Sequence, residues 1–205
     1  RYGAMSCIFD ESEELKMLRQ PVFSFAKKEI APVVEELDKK EEFSLLLVKK
    51  MGDLGLFGTI VSSDFNGRLS IAAMGLGLAK GAFELSLKYS GERETSGVPI
   101  NKHQIIAFRL ADKAKRIEAA AGILYKACWL KKNSKPFQKL AAMLKLHCAE
   151  TADFCAREGQ QIFGDYYLMK EYPIERYYRD AALLRIGEGT SEVQRLVASR
   201  YIGGL

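Results

Sequence analysis

The strongest candidate for chemistry in this 205-residue sequence is a glutamate between two glycines. Glu188 lies between Gly187 and Gly189, immediately before Thr-Ser-Glu, a sequence typical of a helix start. The flanking glycines let the backbone approach a ligand closely and leave the carboxylate unobstructed. A carboxylate placed in this way beside a cleft is a candidate general base. The same pattern also occurs in surface loops that carry an incidental acid.

Other catalytic and metal-binding patterns are weaker. The only histidines are His103 and His147, and His147 with Glu150 has a spacing that metal sites in helical bundles use. A two-metal site needs a second such pair, which the sequence lacks, so we expect no metal. The sequence also contains no P-loop, no glycine-rich dinucleotide motif and no nucleophile elbow.

The composition indicates a globular, mostly helical protein. Hydrophobic residues make up 48% and charged residues 28%, with only five prolines. The 31 basic and 26 acidic residues are interleaved, which indicates solvated helix faces and excludes a one-sided nucleic-acid-binding surface. No segment approaches the roughly 18 apolar residues of a membrane helix. We expect a cytoplasmic or mitochondrial-matrix protein with four free cysteines, at positions 7, 128, 148 and 155.

The N-terminal third predicts short helices. A capping pattern at Asp10 opens a helix that runs to about Ile30 and that Pro21 should kink or divide. A second helix is predicted over residues 44–54, with Gly55 as its C-terminal glycine. A short extended piece and a turn follow, at 59–61 and 62–67.

The rest of the chain predicts a helical bundle. Apolar residues at spacings of three and four predict three long amphipathic helices, followed by two shorter ones. The long helices extend from Arg68 to a stop at 96–99, from a cap at Asn101 to about 133, and from 137 to 164; the short ones cover 173–179 and 191–202. The prediction is an all-α protein: an antiparallel four-helix bundle, residues 68–205, with an N-terminal helical segment, residues 1–67.

Ordered sequence motifs extend over nearly the whole chain. They comprise Phe25–Ala26, Glu29–Pro32, Met51–Gly58, Glu92–Thr95, Gly97, Pro99–Ile100, His103–Gln104, Leu110–Asp112, Gln161–Gly164, Glu171–Asp180 and Glu188–Arg195. Together they resemble the acyl-CoA dehydrogenase family, and most closely its short-chain, butyryl-CoA-like members. The two parts of the sequence that resemble the family meet near residues 66–68. Family members have further N-terminal helices and a middle β-barrel domain between these two parts, and the sequence contains no counterpart of them. The sequence thus resembles a family member whose two helical parts are joined directly.

The resemblance implies FAD-dependent α,β-dehydrogenation of a short-chain acyl-CoA, with Glu188 as the base that removes the α proton. It places Arg68 near the acyl-CoA. In the family the ADP half of FAD reaches a neighbouring subunit. A homo-oligomer is expected because family bundles pack against one another, and because the absence of the β domain leaves apolar surface that a monomer would expose to water. The residues implied in cofactor binding are Arg93, Gln104, Gln161, Gly164, Thr190 and Glu192.

The sequence departs from the family pattern around the cofactor. The differing positions are Ser96, Asp165, Tyr166, Tyr167 and Gly187. Asp165 would place a negative charge beside a diphosphate, at a cost on the order of a few kcal/mol. We therefore expect FAD to bind weakly, if at all. The alternative function is a catalytically inactive helical scaffold or oligomerisation module.

Overall fold

The computed structural model describes residues 13–56 and 66–203, and the chain divides into two compact units, residues 1–63 and 64–205. Helices make up most of the described residues, whose strands are confined to one short hairpin. The all-α prediction is confirmed. None of the described helices combines the length and the apolarity that a membrane span requires. The predicted domain division after residue 67 stays a prediction.

The described part of the N-terminal unit contains three helices, α1 (Glu13–Phe25), α2 (Val34–Lys40) and α3 (Leu45–Asp53). Helix α1 passes through Pro21 and continues as a π-helical turn at Ala26–Ile30. The proline therefore does not divide the helix, although it removes one backbone donor. The predicted end near Ile30 is confirmed, and the predicted cap at Asp10 lies outside the described residues.

Helix α3 has the ends that the sequence predicts. The Ser44 hydroxyl accepts a hydrogen bond from the Leu47 amide at 3.3 Å, which satisfies one of the free N–H groups of the first turn. Gly55 follows the last turn with a φ of 72°, a left-handed conformation that glycine adopts at little cost. The helix predicted over 44–54 is confirmed.

The C-terminal unit is a helical bundle arranged around its central helix, α6. Its helices are α4 (Asn66–Glu92), α5 (Gln104–Lys132), α6 (Gln138–Phe163), α7 (Ile174–Ile186) and α8 (Ser191–Arg200). All four of the other helices pack against α6. Helices α4 and α6 pack in parallel along their lengths, because Gly75 approaches Cys148 near their first halves and Tyr89 approaches Phe163 at their C-terminal ends. Helix α5 connects them and packs against both, and it runs antiparallel to them. The predicted bundle is confirmed.

Small residues bring the helices of the bundle close together. An added Cβ at Gly75 of α4 would lie 3.1 Å from the Cys148 carbonyl oxygen of α6. Small side chains also form the contact between α6 and α7. Its buried cluster consists of four alanines and one leucine: Ala149, Ala152, Ala156, Ala181 and Leu184. Close approach of backbones fixes the relative position of the helix ends, and the candidate site is built from those ends.

The connection from α4 to α5 contains a hairpin that the sequence did not predict. Strand β1 (Glu94–Thr95) pairs antiparallel with β2 (Val98–Pro99). Ser96 and Gly97 join them with φ angles of 52° and 78°, as a tight two-residue hairpin turn requires. Helix α5 then begins after His103, so the predicted cap at Asn101 is wrong.

Three other boundaries differ from the prediction. Asn66 and Gly67 belong to the first turn of α4, not to a turn before it, while residues 59–65 lie outside the described part of the chain. Helix α7 reaches Ile186, well beyond the predicted end at 179. The pairing of Ser191 with Gln194 predicts Ser191 as the cap of the last helix, but the residue that caps α8 is Thr190, whose hydroxyl accepts a hydrogen bond from the Val193 amide at 3.3 Å.

Candidate functional site

The loop between α7 and α8, residues 187–190, has an unusual backbone. Glu188 and Gly189 both lie in the left-handed region, with φ angles of 55° and 85°. For a residue with a side chain this conformation costs free energy, and it persists only where surrounding contacts hold it. The Glu188 side chain is exposed, so burial of that side chain does not hold it. The strain must be balanced by bonds to the loop backbone.

Two buried side chains make those bonds. Gln194, on the first turns of α8, donates from Nε2 to the carbonyl oxygens of Glu188 and Gly189, at 3.1 Å each. Lys145, on α6, donates from Nζ to the same Gly189 carbonyl at 2.6 Å. Both side chains have no exposed surface. Buried side chains of the bundle thus hold the loop backbone on its inner side, and the Glu188 carboxylate lies on the solvent-exposed side.

The first turn of α4 lies against the Glu188 carboxylate. A Cβ added to Gly67 would lie only 2.7 Å from Glu188 Oε2, so only glycine leaves room for the carboxylate in this position. The next residue, Arg68, donates from Nε to Gln194 Oε1 at 3.0 Å. Arg68, Gln194 and the loop therefore form one connected hydrogen-bond network, and Arg68 and Glu188 lie at the same end of the bundle.

An open cleft of about 450 Å³ lies beside the loop, between α7 and the start of α8. Tyr178 and Arg185 line it on one side, and Thr190 and Glu192 line it on the other. The Glu192 carboxylate accepts hydrogen bonds from its own amide and from the Thr190 hydroxyl, and these bonds lower the pKa of Glu192. The free amides of the first turn of α8 give this wall a partial positive charge.

The other residues implied in cofactor binding lie at the opposite end of the bundle. Arg93 directly follows α4, whose 27 residues separate it from Gly67 by about 40 Å. Gln104 opens α5, and Gln161 lies in the last turn of α6. Gly164 follows α6 with a φ of 59°. The structure therefore brings Glu188, Arg68, Thr190 and Glu192 together, and places the remaining four residues elsewhere.

An aromatic cluster occupies this opposite end. Tyr89 stacks on Phe163 with ring centroids 4.1 Å apart, and Tyr172 packs edge-on against both rings. Tyr166 joins the cluster through Tyr172, and the Arg93 guanidinium lies over the Tyr166 ring at 5.6 Å. Tyr166 is therefore packed against the protein, while the neighbouring Asp165 is exposed.

Three features of the site were not predicted from the sequence. They are the bond of Lys145 to the loop, the bond of Gln194 to the loop, and the close approach of Gly67 to Glu188. One signal was available for Lys145, because it lies four residues from both Ala141 and Ala149 on the buried face of α6. No comparable signal existed for Gly67, whose role depends on a contact across 121 positions of sequence. Among the described residues, no group of three or more His, Cys, Asp or Glu side chains is placed to hold a metal ion.

Comparison of the sequence with models of known protein families assigns the chain to a family. The model described as "Acyl-CoA dehydrogenase, C-terminal domain" matches residues 59–203, and "Acyl-CoA dehydrogenase, N-terminal domain" matches residues 12–87. The first match alone covers more than half of the chain. The chain belongs to the acyl-CoA dehydrogenase family, and the resemblance inferred from the sequence motifs is confirmed.

Individual relatives agree with the family match. The chain is 48% identical over 136 residues to the probable acyl-CoA dehydrogenase YngJ of Bacillus subtilis, covering 66% of this chain and 36% of that protein. It is 41% identical over 153 residues to the mitochondrial short-chain specific acyl-CoA dehydrogenase of Bos taurus, covering 74% and 37%. The structure of butyryl-CoA dehydrogenase from Megasphaera elsdenii matches with a TM-score of 0.66 and 41% identity, covering 67% and 36%. The chain thus spans little more than a third of the length of these relatives.

Proposed function

We propose that this chain is the helical part of a flavin-dependent acyl-CoA dehydrogenase, in which Glu188 removes the α proton of a short-chain acyl-CoA thioester. The observation that carries the proposal is the left-handed backbone at Glu188, held by Gln194 and Lys145 beside the first turn of α4. Strained backbone that buried groups hold in place is typical of functional sites.

The proposed base has the access that proton removal requires. Its carboxylate is exposed at the loop surface, so a thioester can approach it without rearrangement of the bundle. An exposed carboxylate is a weak base for a carbon acid, and a bound acyl chain would strengthen it by displacing water. Arg68, 3.0 Å from Gln194, places a cation at the same end of the bundle, where it suits an anionic part of the acyl-CoA.

FAD, when bound, would accept the hydride from Cβ of the substrate. The residues implied in binding FAD have suitable chemistry. An arginine suits the diphosphate, glutamine side chains can form hydrogen bonds, and the helix start at Thr190 favours an anion. These residues do not fit FAD within one chain, because Arg93 and Glu188 lie at opposite ends of a helix about 40 Å long. We therefore propose that FAD is held between two copies of the chain.

We also propose that this chain binds FAD weakly. Asp165 is exposed next to Gly164, where it would repel a diphosphate. The Arg93 guanidinium already lies over the Tyr166 ring, and a diphosphate would have to compete with that contact. Calorimetric titration of the purified chain with FAD tests this, and a submicromolar dissociation constant would contradict it.

The base is tested separately from the flavin. The purified chain is incubated with butyryl-CoA and excess FAD in D2O, and NMR follows the exchange of the α protons for deuterium. We expect exchange in the wild type and in Glu118→Gln, an exposed control on α5, and its loss in Glu188→Gln. Exchange that persists in Glu188→Gln would show that another group is the base. A wild type without exchange would favour the inactive scaffold.

A homo-oligomer follows from the same proposal. Large apolar side chains are exposed on two helices of the bundle: Ile105 (61%) and Phe108 (58%) on α5, and Leu183 (62%) and Ile186 (66%) on α7. Burial of such side chains against a second copy removes apolar surface from water. Light scattering of the purified chain at micromolar concentration should therefore give a mass above that of a 23.0 kDa monomer. A monodisperse monomer would contradict this.

A further inference from the structure

We propose that Lys145 is a positioning residue for the candidate base: by holding the Gly189 carbonyl, it fixes the backbone from which Glu188 projects. The base role of Glu188 rests on the proposed function above. The positioning of the loop by Lys145 does not, because it concerns contacts within the chain.

The contact between Lys145 and the loop is short, and its donor is a buried side chain. Its Nζ lies 2.6 Å from the Gly189 carbonyl oxygen, and no part of the side chain is exposed. A hydrogen bond from a charged donor is stronger than one between neutral groups. Burying an ammonium group is costly, so a lysine at this position must be compensated by its surroundings. The Gly189 carbonyl is part of that compensation.

The electrostatic surroundings of Lys145 also come from the site. Desolvation lowers the pKa of Lys145, whereas the carboxylates of Glu188 and Glu192 raise it. The ammonium is thus stabilised by the candidate base and by the acid at the start of α8. The hydrogen bond to the Gly189 carbonyl is the contact by which this buried cation constrains the loop, and it is directional in a way that apolar packing is not.

The loop geometry explains why this constraint is needed. Glu188 and Gly189 are both left-handed, and Gly189 O accepts from Gln194 as well as from Lys145. Gln194 belongs to α8, which directly follows the loop, and its bond to the rest of the bundle is the one it accepts from Arg68 of α4. Lys145 belongs to α6, the central helix of the bundle. Lys145 therefore links the loop backbone directly to the central helix, whereas the link through Gln194 and Arg68 is indirect.

The proposal is tested by hydrogen exchange of the chain itself. Amide exchange is measured by mass spectrometry in the wild type, Lys145→Met and Lys145→Arg. Lys113→Met is the matched control, because Lys113 is also buried but bonds to the Ala82 carbonyl of α4. We expect exchange of the Gly187, Val193 and Gln194 amides, which are hydrogen-bonded in or directly beside the loop, to rise about tenfold or more in Lys145→Met, the factor expected for losing one charge-assisted hydrogen bond. Lys145→Arg should recover much of the protection, and Lys113→Met should leave the loop unchanged.

Two outcomes overturn the proposal. One is a loop in Lys145→Met that exchanges at the wild-type rate. The other is an equal rise in exchange throughout α4, α5 and α6, because Lys145 would then support the fold and not the loop. Glu188→Gln keeps the backbone carbonyls that Lys145 and Gln194 bind, so the loop should stay protected in that variant. Loop exchange therefore tests the position of the base, and α-proton exchange of butyryl-CoA tests its chemistry.

Discussion

Lys113 provides a quantitative test of the bundle core. It lies on α5 with no exposed surface, and its ammonium donates to the Ala82 carbonyl at 3.2 Å and to the Ser86 hydroxyl, both on α4. Burial lowers its pKa from 10.5 to about 8, although interactions with Cys155 and Glu158 of α6 oppose the shift. Below pH 8 the folded chain must therefore accommodate a buried ammonium whose principal partners are neutral.

The magnitude follows from proton linkage. Between pH 8 and 10.5 the unfolded chain holds the Lys113 proton and the folded chain does not, so this group makes the protein more stable as pH rises. The difference between the two pKa values corresponds to about 3 kcal/mol of unfolding free energy, at about 1.36 kcal/mol per pH unit. About 2 kcal/mol of that amount should appear between pH 7 and pH 9.5.

The assay compares the wild type with Lys113→Met, which keeps the length of the side chain and removes its charge. Urea unfolding is followed by circular dichroism at fixed protein concentration from pH 7 to pH 9.5. We expect the stability advantage of Lys113→Met at pH 7 to fall by about 2 kcal/mol at pH 9.5. Burial raises the pKa of Cys148 to about 12 and of Cys155 to about 11, which lowers stability at high pH in both proteins. The difference between the proteins largely removes that contribution.

The control is Lys115→Met, on the same helix but exposed, with its ammonium 2.6 Å from Asp112. Loss of a surface ion pair should change stability by less than about 1 kcal/mol, without a comparable pH trend. A difference between wild type and Lys113→Met that stays constant within about 0.5 kcal/mol over the pH range would refute the reasoning, because it would mean that Lys113 ionises alike in the folded and unfolded chains.

The remaining predictions concern the site and its support. Gly67→Ala should displace the Glu188 carboxylate, because the new Cβ would lie 2.7 Å from Glu188 Oε2. The α-proton exchange of butyryl-CoA should therefore fall, while the melting temperature of the protein should not. Unchanged α-proton exchange would contradict this prediction. Gly159→Ala should destabilise the bundle by about 1–3 kcal/mol in urea unfolding, because its Cβ would lie 2.5 Å from Ile174 Cδ1; wild-type stability would show that Ile174 repacks freely. Thr190→Ala should cost about 1 kcal/mol by removing the cap of α8, and Thr190→Ser should recover most of it.

The sequence by itself determined the class of fold and most helix ends. Periodic apolar residues and local end signals such as Ser44, Gly55 and Gly164 act within a few residues of the chain, so they can be predicted without the fold. The extent of α5 and α6 is accordingly close to the prediction. The family motifs also identified the loop that carries Glu188 before any contact was known.

The tertiary structure decided how that loop is held and what surrounds it. Lys145 and Gln194 bind the loop, and Gly67 admits the Glu188 carboxylate, only because α4, α6 and α8 meet at one end of the bundle. The same arrangement places Arg93 at the other end of the bundle, about 40 Å from Gly67. The contact of Lys145 with Gly189 joins residues 44 positions apart, and that of Gly67 with Glu188 joins residues 121 positions apart. At such separations helix packing, and not local sequence preference, sets the geometry.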